Sequence, residues 1–410
     1  MAAKKQSYIT LFLVLIVYIA TTQWIRPIPP PGSPPGPGQN KGGFIGSASC
    51  ASCHKEIYDA HIQTAHYRDS RPAAREFIRG SFDKRKNRFT YNQHMEVVME
   101  KKKEKFFQTA YFNGTLLESE PFDIVIGSGR KGQTYLYWDS IRLFQLPISW
   151  YGPSDRWCNS PGYPTNLIYF NKQVQPQCME CHSTYARTED LDNLGAVFDK
   201  ASIIYGIDCE KCHGPAADHV TFHQAHPGEK TGRFIINASH LGRSQRLDAC
   251  ALCHSGLRKP LRPAFTFAIG DTLDNFSIAS YDSDSVSSLD VHANQYGLLT
   301  SSKCFQNSQM DCSSCHNVHV TQINNPSQFA QRCMTCHNDA GHSNCTFPAV
   351  KELSLLNNCI DCHMPRLPSN KILLQVAGTD TTTQDLVRTH HIGLYPAAVK
   401  AFLSRQPTHP

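Results

Sequence analysis

A chain of 410 residues has room for two ordinary domains, and its 40% hydrophobic content is modest for that size. Its formal charge of +6 would, taken alone, admit nucleic acid or an acidic protein as partner. The cysteines exclude an ordinary aliphatic-cored enzyme: 14 of the 17 fall into seven pairs, each followed at once by histidine.

Lys4 and Lys5 precede an uncharged apolar run over residues 8–25. The run is either a signal peptide or an uncleaved anchor within residues 1–25. Cleavage after Ala20 would put bulky Tyr18 at the third position back, where a small residue is wanted. The run is just long enough to span a bilayer, and Trp24 suits the interface, so the anchor is the favoured reading. Residues 26–43 (RPIPPPGSPPGPGQNKGG) cannot pack and read as a semi-extended spacer.

Residues 44–80 hold the first cysteine pair, CASCH, with Cys50, Cys53 and His54; residues 51–65 read as helix. Residues 81–175 carry no pair. They read as strands at 95–99, 106–112, 122–126, 134–138 and 142–146, with Asn113 and Gly114 favouring a tight hairpin turn. The glycine-rich stretch 127–132 lacks the lysine and hydroxyl spacing of a phosphate loop and reads as a turn.

The other six pairs crowd into residues 176–395. They are CMECH (Cys178, Cys181, His182), CEKCH (Cys209, Cys212, His213), CALCH (Cys250, Cys253, His254) and CSSCH (Cys312, Cys315, His316). CMTCH (Cys333, Cys336, His337) and CIDCH (Cys359, Cys362, His363) complete the set. Short helices joined by irregular loops suit such spacing. The expected class is therefore mainly α with much loop, apart from the strand-rich haem-free segment. Residues 272–302 read as a polar surface excursion, residues from 370 onward as a further helix-like stretch, and 396–410 as a tail.

The repeated string is the attachment site of c-type haem. Two thiols held two residues apart bond the vinyl groups along one porphyrin edge, and the following imidazole reaches the iron. Zinc has no use for a histidine after every pair, and neither does a disulfide scaffold. Seven haems would replace an aliphatic core. Their propionates would add about fourteen negative charges and the ferric irons return about seven positive ones, leaving the loaded chain near neutral. The basic residues then neutralise propionates, and nucleic acid drops out as a partner.

Each iron has a second axial position. A histidine close to its own motif can hardly pass round its own macrocycle, so a neighbouring haem is the better target. His66, His219, His292, His319, His342 and His390 are the candidates, with a seventh from His61, His223, His226 or His240. His94, His391 and His409 read as surface residues, and Met95, Met99 and Met310 as packing residues. Of the cysteines outside the motifs, Cys304 and Cys345 bracket the fifth and sixth and are a possible disulfide, while Cys158 reads as a buried small hydrophobe.

The strings GSASCASCHKEIYDAHIQTAH, DIVIGSGRKGQTYLYW, GIDCEKCHGPAADHV, MDCSSCHNVHV and NCIDCHMP together resemble one family. It is that of the multihaem cytochromes c related to the tetrahaem electron acceptor of hydroxylamine oxidoreductase. More distantly they resemble that oxidoreductase and pentahaem nitrite reductase. The resemblance implies distal ligation by His66, His219, His319 and His390, and parallel-stacked and perpendicular haem pairs. His61 stands where the family commonly has tryptophan, and no motif ends in lysine, the mark of the nitrite-reducing haem.

The expected function is that of a heptahaem electron relay, anchored in a bacterial inner membrane with its haem domain in the periplasm. Its partners would be a membrane donor and a periplasmic or outer-membrane acceptor. The alternative is a reductase of a small nitrogen compound or oxyanion at one haem with an open face. A third reading, a structural module of a respiratory complex, rests on the strands as a docking surface.

Overall fold

The computed structural model describes residues 43–191, 195–280, 289–323, 325–337 and 357–404. The 8–25 run, nearly all of the 26–43 spacer, and His342, Cys345 and His409 lie outside them. The expected inner-membrane location is corrected: no helix among the described residues is long and apolar enough to cross a membrane.

The five strands expected in the pair-free interval are present, within longer sheets. Eleven strands run from the first motif to the second: β1 (Ser70–Pro72), β2 (Arg88–Thr90), β3 (Met95–Lys102), β4 (Lys105–Phe112), β5 (Thr115–Pro121) and β6 (Ile124–Ile126), then β7 (Gly132–Asp139), β8 (Arg142–Gln145), β9 (Ile148–Tyr151), β10 (Arg156–Asn159) and β11 (Lys172–Gln173). β2 to β5 form a four-stranded meander, and the others an antiparallel seven-stranded sheet ordered β1-β6-β7-β8-β11, with β9 bridging β7 and β10. Asn113 and Gly114, at φ 48° and 78°, make the turn between β4 and β5. Positive φ at both central positions matches the right-handed twist of the strands they join.

One aromatic core serves both sheets. Phe89, Phe106, Phe122, Tyr135, Trp150, Trp157 and Phe170 are buried in it together. Phe122 stacks on Tyr135 at 4.4 Å between ring centres. Gly80 closes the bottom: a Cβ there would stand 2.1 Å from the Trp157 ring. The buried Gln108 side chain joins the sheets, donating to the Ile148 carbonyl at 2.6 Å and accepting from its N–H at 2.9 Å.

The mainly α class is corrected: helix and strand are equal at 28% each. Two intervals between motifs, and the stretch after the last motif, hold two-stranded ladders. Thr188–Leu191 pairs with Gly195–Phe198, Arg258–Pro260 with Ser277–Ala279, and Arg366–Gln375 with Thr382–Arg388. The last occupies the first part of the region from residue 370, where the run ILLQV followed by threonines favours extended backbone; the helix expected in that region comes only at Pro396–Leu403. The ladder's loop docks on β10, where Gln375 N–H donates to Asn159 at 2.7 Å. Helix Pro396–Leu403 occupies the expected tail.

The apolar core is unevenly shared. A second cluster joins Ile124, Leu136 and Leu143 of the sheet to Ala186, Phe198 and Ile203, and further along the chain the described clusters are small, such as Ala251, Leu252 and Leu273 or Leu289, Val291 and Leu298. The motif cysteines and histidines there are half-buried or exposed.

Candidate haem centres

Every motif sits on a tight helical turn. The His54 N–H donates to the Cys50 carbonyl at 2.8 Å, His316 to Cys312 at 3.0 Å and His337 to Cys333 at 3.1 Å. A turn of this kind puts positions i, i+3 and i+4 on one face, so both thiols and the imidazole point the same way. Local caps fix the turns. Asp208 accepts from the Cys209 N–H at 2.7 Å, and Asp311 accepts from Ser313 and Ser314 at 2.9 and 3.2 Å.

Most motif imidazoles are held by the nitrogen that does not face the centre. His182 Nδ1 meets the Asp69 carboxylate at 2.7 Å, His213 Nδ1 the Ile236 carbonyl at 2.8 Å and His363 Nδ1 the Gly393 carbonyl at 2.9 Å. His254 Nδ1 lies 3.3 Å from the Gln295 amide oxygen. An N–H donated this way fixes the tautomer and leaves Nε2 as the lone-pair nitrogen that a metal needs.

Three motif histidines face a histidine from another segment. Ring centres are 6.1 Å apart for His254 and His66, 6.1 Å for His213 and His319, and 6.2 Å for His316 and His390. With metal–imidazole bonds of about 2.0 Å and ring centres about 1.1 Å behind the nitrogen, two imidazoles sharing one metal have centres about 6.2 Å apart. The spacing fits an iron between each pair. Burial holds His66 and His390 down to about 4, so both stay neutral at pH 7, the form that ligates. Burial also depresses His254, His316 and His319. His182 differs: burial opposes its charge, but Asp69 outweighs burial and raises it.

The other candidates stand as follows. His219 lies on helix Ala217–Ala225, whose first N–H donates to the Gly43 carbonyl at 2.8 Å, close to the first motif. Its Nδ1 is tied to the Arg233 carbonyl at 2.8 Å. His292 is depressed by burial against the opposing charges of Asp290 and Asp385, and its backbone N–H donates to the Asp290 carboxylate at 2.8 Å. His61 is buried, with Nε2 on the Ile207 carbonyl at 3.1 Å and Nδ1 buried without a partner. His223 accepts from the Arg233 N–H at 3.3 Å, His226 Nδ1 caps its own helix at the Phe222 carbonyl, and His240 is exposed on a short 3₁₀ turn. His342 and Cys345 are outside the described residues, so Cys304 is described alone, half-buried. Cys158 is buried beside Tyr151, Leu374 and Val376, and burial pushes its thiol up to about 12.

The turns also meet one another. Glu210, inside the third motif, accepts from the Ile45 and Gly46 N–H groups before the first, at 3.0 and 2.8 Å. Cys181 of the second motif donates to the Leu252 carbonyl in the fourth at 3.6 Å. Arg246, on the helix carrying the fourth, pairs with Asp311 before the fifth at 2.7 Å. Helix Pro326–Met334, carrying the sixth, packs on helix Cys359–His363, carrying the seventh. Cys333 and Cys359 share a hydrogen bond there.

The acceptors behind the imidazoles escape sequence reasoning. Ile236, Gly393 and Arg233 contribute backbone carbonyls, which no residue type marks. Asp69 carried a weak signal, an acidic residue three positions after a candidate ligand.

A thiol pair and an imidazole on one face, repeated through the chain, with further imidazoles at metal-sharing distance, define a cytochrome of the c type. The comparisons agree. Residues 166–214 match the family model of cytochrome c554 and c-prime. Over 194 residues the chain is 26% identical to the multiheme cytochrome MtrA of Shewanella baltica (strain OS185), covering 45% of this chain and 51% of that one. The chain thus spans about half the length of that relative. No solved structure gives a significant match. These matches support a multihaem c-type cytochrome with covalently bound haem.

Proposed function

We propose that the chain is a heptahaem electron relay in which every iron is six-coordinate, exchanging electrons with redox partner proteins. The haem supplies the one-electron chemistry, and the chain supplies axial ligands, burial and spacing. The observation that carries this reading is the set of three imidazole pairs at 6.1–6.2 Å, each joining two segments. On the same reading His219 serves the first centre, near Gly43, and His292 the second, near His182. The relation to the tetrahaem acceptor of hydroxylamine oxidoreductase belongs here too, as does a division into residues 44–80, 81–175 and 176–395.

The contacts between turns support an order. The sixth centre adjoins the seventh, the seventh is joined to the fifth through His390, and the fifth and second both adjoin the fourth. The first and third form a branch, linked to the fourth through His66 and to the fifth through His319. The absorption and paramagnetic resonance spectra of the oxidised protein test the reading. Low-spin signals for all seven haems are expected. A high-spin fraction that shifts with nitrite or hydroxylamine would replace the relay with a reductase.

A further inference from the structure

A cavity of about 360 Å³ opens where the 127–132 turn faces the stretch after the first helix. Arg68, Arg79 and Arg130 reach it from three separate segments, beside Gln63, Ser128 and Thr321. All arginine–carboxylate ion pairs among the described residues lie elsewhere. No such pair neutralises the three cations, and after burial it is Arg68 that depresses the Arg130 guanidinium.

The protein nevertheless holds them together. The Arg79 backbone N–H donates to the Gln133 side chain at 2.9 Å, and the Arg68 guanidinium donates through Nε to the Ile62 carbonyl at 3.0 Å and through Nη2 to the Gln63 side-chain oxygen. Gly129, at φ 80°, lets the Arg79 side chain lie on the turn: a Cβ there would stand 2.9 Å from its Cγ. Like charges fixed by such contacts favour an anion, and guanidinium forks match the two oxygens of a carboxylate or oxyanion. The walls are continuous with the haem centres. His66 lies between Gln63 and Arg68, and Thr321, two residues after His319, donates to the Gln63 carbonyl at 3.0 Å.

We propose that Arg68, Arg79 and Arg130 form an oxyanion-binding site beside the centres served by His66 and His319. The group bound is a carboxylate or small oxyanion, from one of two sources: a haem propionate or a free anion from solution. The site needs no open iron. It stands apart from the relay reading, whose failure would show as high-spin haem rather than in either readout below.

The test compares the full holoprotein with its Arg79→Gln/Arg130→Gln variant. Sulfate, an oxyanion inert toward haem, is titrated calorimetrically, and haem midpoint potentials are followed by spectroelectrochemistry. Sulfate binding that weakens about tenfold or more in the variant identifies a free oxyanion. No sulfate binding to either protein, with one midpoint lowered in the variant, identifies a propionate, because lost positive charge favours the ferric state. Unchanged titrations and unchanged potentials overturn the proposal.

Discussion

His319 illustrates how much one imidazole decides. It lies 6.1 Å from His213 in one direction and 6.3 Å from His61 in the other. Only His213 belongs to a motif, and His61 spends Nε2 on the Ile207 carbonyl. Replacing His319 by Ala is expected to convert a single haem to high spin while the others stay low-spin, as read in the oxidised spectrum. His94→Ala, at an exposed ring bonded to Asn113 at 2.7 Å, is expected to leave the spectrum unchanged. The candidates His66, His319 and His390 stood out in the sequence as histidines shortly after a motif or near the end of the chain. Their partners did not, because each pair joins segments that no spacing rule connects.

At the scale of elements, the motif turns and the Asn113–Gly114 hairpin were legible because both are local. Three residues on one helical face, or two residues at positive φ, need no information from elsewhere. The ladders between motifs were illegible for the opposite reason. Strands such as Arg258–Pro260 are three residues long and carry no alternating apolar face, so only their partner makes them strands. Gln108 tests the joint between the sheets: Gln108→Leu leaves the Ile148 N–H and carbonyl buried without partners. A loss of about 2–4 kcal/mol in denaturant unfolding is expected.

The link between the fourth and fifth motifs is sensitive to acid. Burial opposes the charge of Asp311, but the Ser313 hydroxyl and Arg246 outweigh it and hold the carboxyl below the usual range. A carboxyl depressed in the folded state adds stability above its unfolded value of about 4 and loses it as pH falls through the lower folded value. Thermal unfolding between pH 5 and 2 is therefore expected to show an acid-dependent drop that shrinks in Asp311→Asn.

Across the whole molecule, two kinds of interior coexist. The sheets of residues 70–173 enclose an aromatic core of their own, whereas the motif region carries half-buried or exposed thiols and imidazoles beside smaller apolar clusters. Chain made without haem attachment is expected to keep slow amide exchange in β3, β4 and β7 and to exchange rapidly at helices Cys209–His213 and Cys359–His363. Uniform protection of both regions in hydrogen-exchange mass spectrometry would refute this. The modest apolar content of the sequence foreshadowed this division without locating it.

The pairing of His316 with His390 also bears on how such a molecule is made. A ribosome delivers the fifth motif well before the segment that faces it. During synthesis that imidazole waits without its counterpart while the two intervening motifs emerge, so this closure comes only once residue 390 has been made. Messages cut short before codon 390 would yield pigmented but incompletely latched protein, prey to proteases at its trailing edge.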